Sequence, residues 1–562
     1  MDQLAILLPA APLVSAILIT LFSGRMARPS VARLSVGFAV FTSFLAIGLL
    51  TLHFQQPLSH TVSFGWGSLY LDPLGSVMAV LVSAISLVVH VYSIRYMAEE
   101  PGYARFFVLL DLMTVTILLM VTAGDLITLL LAWHLVGVLL YFLLGHDLGR
   151  AQAQRYAFWT FITYRLGDLP MVLAALLLYQ AYGTLSLPEL FRHVAADPYL
   201  ATSLGLPLAP TVGLLVALAA FARSAQFPLH TWLPYTMEGP TPVSALMHAG
   251  IVNAGGFLLN RFAPVLVHAG EVLHLVFAVG LITAILGSVL MLAQNDIKKS
   301  LGYSTMGQMG FMFVEVGVGA FSLAVYHLIA HGLFKGTLFL GAGGMIGNAR
   351  KHDGVPHDEV YTFVVERRPA ASRLPWLLAA GITVVVPFAL LGLSRWLLGG
   401  GLGDGFVGEQ GAIILLFFGW VTGAQLMFST YRLQAESPWR VMAMIILSLT
   451  VVVAGYTLME HAFGRFLYPD ASFTRSLYAA ASIPLPLFYG LVSVVTLVVV
   501  LGWLATFYNI ANRRARGGRA SPLKLAVYSL ISREFYVSDL YTWLSQAVLG
   551  LSRRLNVWSR WV

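Results

Sequence analysis

Apolar residues run almost unbroken for about twenty positions at a time along most of the chain, roughly over 4–23, 34–54, 73–94, 104–122, 124–145, 157–180, 208–233, 241–262, 270–293, 300–318, 320–346, 374–398, 411–431, 440–459 and 483–510. A helix needs about 20 residues to cross about 30 Å of hydrocarbon. Only helices and closed barrels satisfy their backbone in that medium. The pattern therefore predicts an all-α polytopic membrane protein with about 15 transmembrane helices. Residues 55–72 depart from it: they alternate, contain Gly65 and Gly67, and read as a short external hairpin or a plain loop. Residues 521–562 depart differently, mixing Lys524, Arg533, Glu534 and Asp539 with Tyr541, Trp543 and Trp558. That mixture suits an amphipathic helix on the membrane surface or along a partner, not another span.

Composition agrees with this assignment. The 562 residues are 58% hydrophobic and only 10% charged, against about 25% charge in soluble proteins. There is no cysteine, so this chain has no disulfide, cysteine-bound iron–sulfur cluster or thiolate zinc site. The net charge of +8 is unevenly placed. With the N-terminus outside and the C-terminus in the cytoplasm, inward loops hold 20 lysines and arginines and outward loops hold four. This asymmetry is what orients a polytopic protein, and it accounts for the basic balance without a nucleic acid. The first apolar run is not read as a cleaved signal, because its basic cluster (Arg25, Arg28, Arg33) follows the apolar stretch.

Ionisable side chains within such spans are expensive and point to ion paths. The candidates are His134 in the fifth span, Arg165 and Asp168 three residues apart in the sixth, and Arg223 and His230 in the seventh. Further along come His248 in the eighth span, His327, His331 and Lys335 in the eleventh, and Arg395 in the twelfth. Arg165 and Asp168 can pair on one helical face. His327, His331 and Lys335 recur every four residues and share one helical stripe, which favours a relay. A metal site is not expected there, since neither carboxylate nor thiolate adjoins the two histidines in sequence.

Two helices are expected to be broken, one by Pro228 and Pro234 after Arg223 and one by Pro387 before Arg395. Spans four to eight and nine to thirteen form two five-helix blocks of opposite sense, with the broken helix fourth in each, as an inverted repeat requires. The expected organisation is residues 1–103 for three N-terminal helices with the hairpin, 104–262 for the first repeat, 270–432 for the second, 440–510 for C-terminal helices and 521–562 for a cytoplasmic amphipathic tail.

Three stretches carry a family resemblance: SAQFPLHTWLPYTMEGPTPVSALMHAG at 224–250, NDIKKSLGYSTMGQMGFMF at 295–313 and YHLIAHGLFKGTLFLGAGG at 326–344. Over roughly 60–460 the chain resembles the antiporter-like membrane subunits shared by respiratory complex I, Mrp-type cation antiporters and their relatives. The resemblance implies two half-channels joined by a hydrated axis of charged residues. In this sequence His248 matches the family histidine of span eight, and His327, His331 and Lys335 match the central relay. Arg223 and Arg395 fall where complex I subunits carry lysines, and His134 follows Trp133 where they carry a glutamate. Arginine stays charged, so the titrating work is expected to shift to the histidines and Lys335, with Lys298 or Lys299 on the inward side.

The short tail makes the chain look like a DabB-type subunit, a bacterial inner-membrane cation conductor, most naturally of protons, that energises inorganic carbon uptake. That resemblance implies a DabA-like, carbonic anhydrase-related partner on the cytoplasmic side. The partner carries the zinc and the CO2 hydration chemistry, leaving this chain a transporter subunit with no cofactor. The alternative is a proton-pumping subunit of a complex I relative or an Mrp-type antiporter.

Overall fold

A computed structural model describes residues 2–55, 59–203, 205–294, 296–349, 463–511 and 522–559, with isolated positions between 381 and 420. Contacts group the chain into two compact units. The first comprises Met1–Gly317, His327–Met345 and Pro522–Val562, and the second Val318–Tyr326 with Ile346–Ser521.

The first unit opens with α1 (Asp2–Phe22) and α2 (Arg28–Gln55), followed by an antiparallel hairpin of β1 (His60–Phe64) and β2 (Gly67–Leu71). The hairpin turns at Gly65, whose φ of +44° suits glycine. It is pinned by Asp125, which caps α5 (Leu126–Leu144) by accepting from Thr128 N at 2.8 Å and also accepts from Ser68 Oγ at 2.8 Å. Asp72 likewise caps α3 (Pro73–Tyr96), accepting from Gly75 N at 2.8 Å, with proline in the favoured first turn. The same carboxylate receives both terminal nitrogens of Arg261, at 2.6 and 3.1 Å, a bidentate pair that ties distant parts of the sequence together.

Between α3 and α5 lies α4 (Tyr103–Val121), and Asp111 on it is a buried hub that the sequence reading missed. It accepts from Ser15 Oγ at 2.7 Å and Ser35 Oγ at 2.9 Å, and lies 3.1 Å from His90 Nε2. One carboxylate thereby joins the first four helices, its charge met by hydrogen bonds as burial requires.

Next come α6 (Ala151–Tyr182), an amphipathic α7 (Leu187–Ala196) and α8 (Leu208–Arg223). The expected break follows α8: the chain leaves the helix at Ser224, puts Ala225 at φ +51° and makes a cis Phe227–Pro228 bond before a single turn at Trp232–Tyr235. A second interruption was not expected. Span eight is α9 (Thr241–Ala249) and α10 (Ala254–Arg261), separated by a 3-10 turn at Ile251–Asn253. No proline stands at this turn; Asn253 Nδ2 donates to the Ala249 carbonyl at 2.7 Å and satisfies it.

The next pair, α11 (Gly270–Ala293) and α12 (Ile297–Gly317), packs backbone to backbone. A Cβ on Gly287 would sit 2.4 Å from the Gly307 nitrogen, and one on Gly310 would sit 2.4 Å from the Ala284 nitrogen. In lipid, where burial of apolar surface does not drive helix association, such small-residue seams supply the contact. α13 (Phe321–Ala349) carries the His327 stripe.

Every expected apolar run that lies among the described residues is helical. Nine helices there are long and apolar enough to span, and Leu208–Arg223 and Pro486–Leu501 are shorter apolar helices. The runs at 374–398 and 411–431, which are the last two of the expected second repeat and contain Pro387 and Arg395, lie outside the described residues save for isolated positions, and the run at 440–459 lies wholly outside them. In the second unit, α14 (Ala471–Ala480) is capped by Asp470, and α15 (Leu485–Ala511) follows. Gly319 at φ +85° lets its turn meet α14, since a Cβ there would be 2.8 Å from the Tyr478 Cα.

The tail forms α16 (Pro522–Ser532) and α17 (Val537–Trp558). One face of α17 is exposed as expected, with Trp543 and Trp558 outward. The other attachment is to this chain itself. Glu534, 3% exposed, accepts from the Tyr235 hydroxyl at 3.0 Å. Thr542 accepts from Arg155 at 3.0 Å, and the Tyr541 ring lies 5.8 Å from that of Trp159. Burial, with Glu534 beside it, pushes the Tyr235 hydroxyl up, so it stays a donor.

Two outcomes are expected. Gly287→Val should destabilise by about 1–3 kcal/mol through overpacking, read as a lowered thermal midpoint in detergent, whereas Gly37→Ala, with nothing within 4 Å, should not. Glu534→Ala should release the tail, seen as faster protease cleavage between residues 512 and 540.

Candidate functional site

Eight of the candidate residues gather into two clusters, both in the first unit. The first forms where α5, α6 and α8 meet. Asp168 stands at its centre: its Oδ2 lies 3.0 Å from Arg165 Nη2 and 2.9 Å from His134 Nδ1, and its Oδ1 lies 3.5 Å from Arg223 Nη2. The pair expected on α6 is therefore present, but it is no separate helix brace. It belongs to a four-residue cluster in which Asp168 links His134 to Arg223.

Arg223 is 1% exposed, with its guanidinium 4.3 Å from the Trp133 ring centroid and 4.0 Å from that of Tyr164. It also donates to the Trp133 carbonyl. Flat aromatic faces suit guanidinium, which is weakly hydrated and stacks. His134, half-exposed, has Nδ1 2.9 Å from the Asp168 carboxylate and Nε2 2.8 Å from Arg165 Nη1. Two fixed positive charges share this one carboxylate.

The second cluster is built from two facing stripes. His327, His331 and Lys335 lie along α13, and Ser304, Gln308 and Glu315 lie along α12. The stripes pair in opposite order. Lys335 Nζ donates to Ser304 Oγ at 2.7 Å, while His327 Nε2 lies 2.9 Å from Gln308 Oε1 and its Nδ1 lies 3.0 and 3.1 Å from the Glu315 oxygens. The expectation that no carboxylate adjoins the histidines is corrected here. Glu315 is distant in sequence but adjacent across the helix pair. It was visible as an ionisable residue in an apolar run, the same signal that singled out the others.

Beyond Lys335 the stripe continues at Phe339, and the His248 ring stacks on it at 4.2 Å and 16°. Gly332 admits this approach, since a Cβ there would lie 2.6 Å from the Ala249 carbonyl oxygen. The interrupted span eight thus places His248 at the end of the row. His248 and His331 are buried, and their ring nitrogens have no hydrogen-bond partner among the described residues. Buried polar groups of this kind take water where room allows. The rings of His327 and His331 are 6.3 Å apart, a spacing that a water can bridge.

Lys298 and Lys299 stand apart from both clusters, in the first turn of α12, with Lys299 Nζ 4.2 Å from the Tyr235 ring centroid. Arg395 lies outside the described residues. Among the described residues, no group of three or more histidines, aspartates or glutamates converges to hold a metal ion.

A family model described as NADH:quinone oxidoreductase/Mrp antiporter, TM, matches residues 123–390, and one described as NADH-ubiquinone oxidoreductase (complex I), chain 5 N-terminus, matches 59–107. A probable inorganic carbon transporter subunit DabB1 of Halothiobacillus neapolitanus is 59% identical over 564 residues, covering the whole of both chains. The chloroplastic NAD(P)H-quinone oxidoreductase subunit 5 of Draba nemorosa is 37% identical over 332 residues, 58% of this chain and 44% of that one. Among solved structures, an Mrp complex from Dietzia sp. DQ12-45-1b matches 99% of this chain and 63% of its own, with TM-score 0.57 and 24% identity. The archaeal membrane-bound sulfane sulfur reductase matches 90% of this chain and 97% of its own, with TM-score 0.53 and 19% identity. These two likenesses concern the fold.

Asp168→Asn should cost about 3–5 kcal/mol by leaving buried Arg223 and half-buried Arg165 without their carboxylate. Arg165→Met should cost less, because Arg223 still faces Asp168. The order of thermal midpoints in detergent checks this.

Proposed function

Because the chain belongs to the DabB family of inorganic carbon transporter subunits, within the complex I and Mrp antiporter-like membrane subunits, we propose that it is the proton-conducting subunit of such a transporter. The observation that carries the reading is the row His327, His331, Lys335 and His248: four titratable groups buried on facing helices, two of them with ring nitrogens that have no hydrogen-bond partner among the described residues. Helix packing gives no reason to line up so many ionisable groups in a membrane. A proton route does, since histidine changes charge near neutral pH.

In this reading the N-terminus is outside and the C-terminus cytoplasmic, in a bacterial inner membrane. Protons arrive from outside at the His327 end of the row, pass to Lys335 and His248, and leave inward past Lys298 and Lys299. Arg223, with Arg165, supplies fixed positive charge beside the route and carries no proton. Arg395 takes the corresponding place in the second repeat.

A DabA-like partner on the cytoplasmic side holds zinc and hydrates CO2. That reaction yields bicarbonate and one proton, and downhill proton movement through this chain drives it in one direction. The tail, fixed at Glu534 to Tyr235 and thus beside Lys299, supports a cytoplasmic docking place near the inward end of the route.

Lys335→Ala and His331→Ala, tested in the reconstituted complex, should each lower proton flux by about a hundredfold, while the complex still assembles. Wild-type flux in both variants would mean that the chain only anchors its partner. Tagged chain should also co-purify with a zinc-containing soluble subunit, and purification without one overturns the carbon-uptake assignment.

A further inference from the structure

Glu315 is a member of the central row to which neither motif nor family resemblance gives a role. It is 1% exposed, and both its oxygens face Nδ1 of His327, at 3.0 and 3.1 Å. The other ring nitrogen faces the Gln308 oxygen at 2.9 Å. An imidazole with an acceptor at each nitrogen has two ways to satisfy both. It carries two N–H bonds and pairs as a cation with the carboxylate, or it accepts at Nδ1 from a protonated Glu315 and donates at Nε2. Both arrangements have zero net charge and one proton shared between Nδ1 and the carboxyl group.

We propose that Glu315 is the resident counter-ion of the row and that, with His327, it forms the dyad at which protons are loaded onto it. This rests on the conduction reading above and names the loading group. Among the described residues, the other titratable groups near the dyad are His331 and Lys335 on α13 and His248 on α9, with His331 in electrostatic reach of His327, Lys335 and His248. Each of these adds positive charge when protonated. Glu315 supplies the opposite sign.

The step conserves charge and atoms. The Nε2–H bond of the His327 imidazolium breaks as that proton passes from its hydrogen bond with the Gln308 oxygen to a bridging water, and the water gives one of its own protons to a ring nitrogen of His331, so that one N–H bond is lost and one is formed. The dyad passes from zero to −1 and His331 from neutral to +1. The carboxylate remains beside the moving charge, and a fresh proton then restores the dyad. With Glu315 replaced by a neutral group, the same transfer places a positive charge near Lys335 without that compensation, in surroundings where like charges repel strongly. Gln308 has a positioning role: its oxygen holds Nε2–H and so turns Nδ1 toward Glu315.

The test uses the full complex in proteoliposomes, with proton flux measured across a pH series for wild type, Glu315→Gln, Glu315→Asp and Lys335→Ala. Glu315→Gln should reduce flux about tenfold or more and change the shape of the flux-against-pH curve. Glu315→Asp, which keeps the carboxylate, should recover most of the flux and the wild-type shape. A structural role alone would scale the curve without reshaping it, and would be served as well by glutamine as by aspartate; either result overturns the proposal.

Lys335→Ala separates the two levels. Lost flux there with intact flux in Glu315→Gln defeats the dyad only, whereas intact flux in both defeats conduction and the dyad with it. Should Glu315→Gln fail to assemble, Gln308→Leu is the second variant. It removes the Nε2 acceptor and should also reshape the curve, and an unchanged curve would count against the dyad.

Discussion

A charge immersed in hydrocarbon has to be paired, hydrogen-bonded or wetted, at a penalty of a few kcal/mol if it is not, and the first unit is organised around that requirement. Asp111 gathers two serines and a histidine, Asp72 takes the fork of Arg261, and Asp168 stands between two arginines and His134. In each case a carboxylate on one helix is met by donors from others, so the charge that is costly alone becomes the joint between helices. These joints are strong because removing one partner leaves the other buried and uncompensated.

The central row meets the same requirement differently. Lys335 has a serine hydroxyl, His248 an aromatic face, and His331 no hydrogen-bond partner among the described residues. A joint built for rigidity would be saturated, like the one at Asp111. A row built for proton movement needs groups whose second partner is water, because a proton can leave only when its new position is also solvated. Glu315 and His327 are the paired end of that row, and His331 and His248 are the members whose ring nitrogens have no hydrogen-bond partner among the described residues. The contrast between Asp111 and His331 lies in their partners and not in their burial, since both are buried.

Close backbone packing makes this arrangement possible. The glycine seam between α11 and α12 holds α12 where its polar stripe faces α13, and Gly332 lets the broken span eight come against the same helix. The two interruptions near α8 and α9 have distinct physical origins. One follows from prolines and a left-handed Ala225, the other from an asparagine that satisfies a freed carbonyl without any proline. Irregular backbone of this kind survives at membrane depth because protein surrounds it.

What was legible in the sequence follows from periodicity and cost. Twenty-residue apolar runs have one solution in a bilayer, alternation around Gly65 and Gly67 made the hairpin readable, and the four-residue repeat of His327, His331 and Lys335 fixed their common face. The break after Arg223 was readable because proline cannot continue a helix. Contacts between residues far apart in sequence were beyond such signals: that Glu315 meets His327, that Asp168 joins His134 to Arg223, that Glu534 fastens the tail to Tyr235. The sequence by itself determined which elements form and which side chains are too polar for lipid. Only the tertiary structure decided which of them face one another, because helix periodicity sets the face a residue occupies while interhelical packing alone selects the neighbour across it.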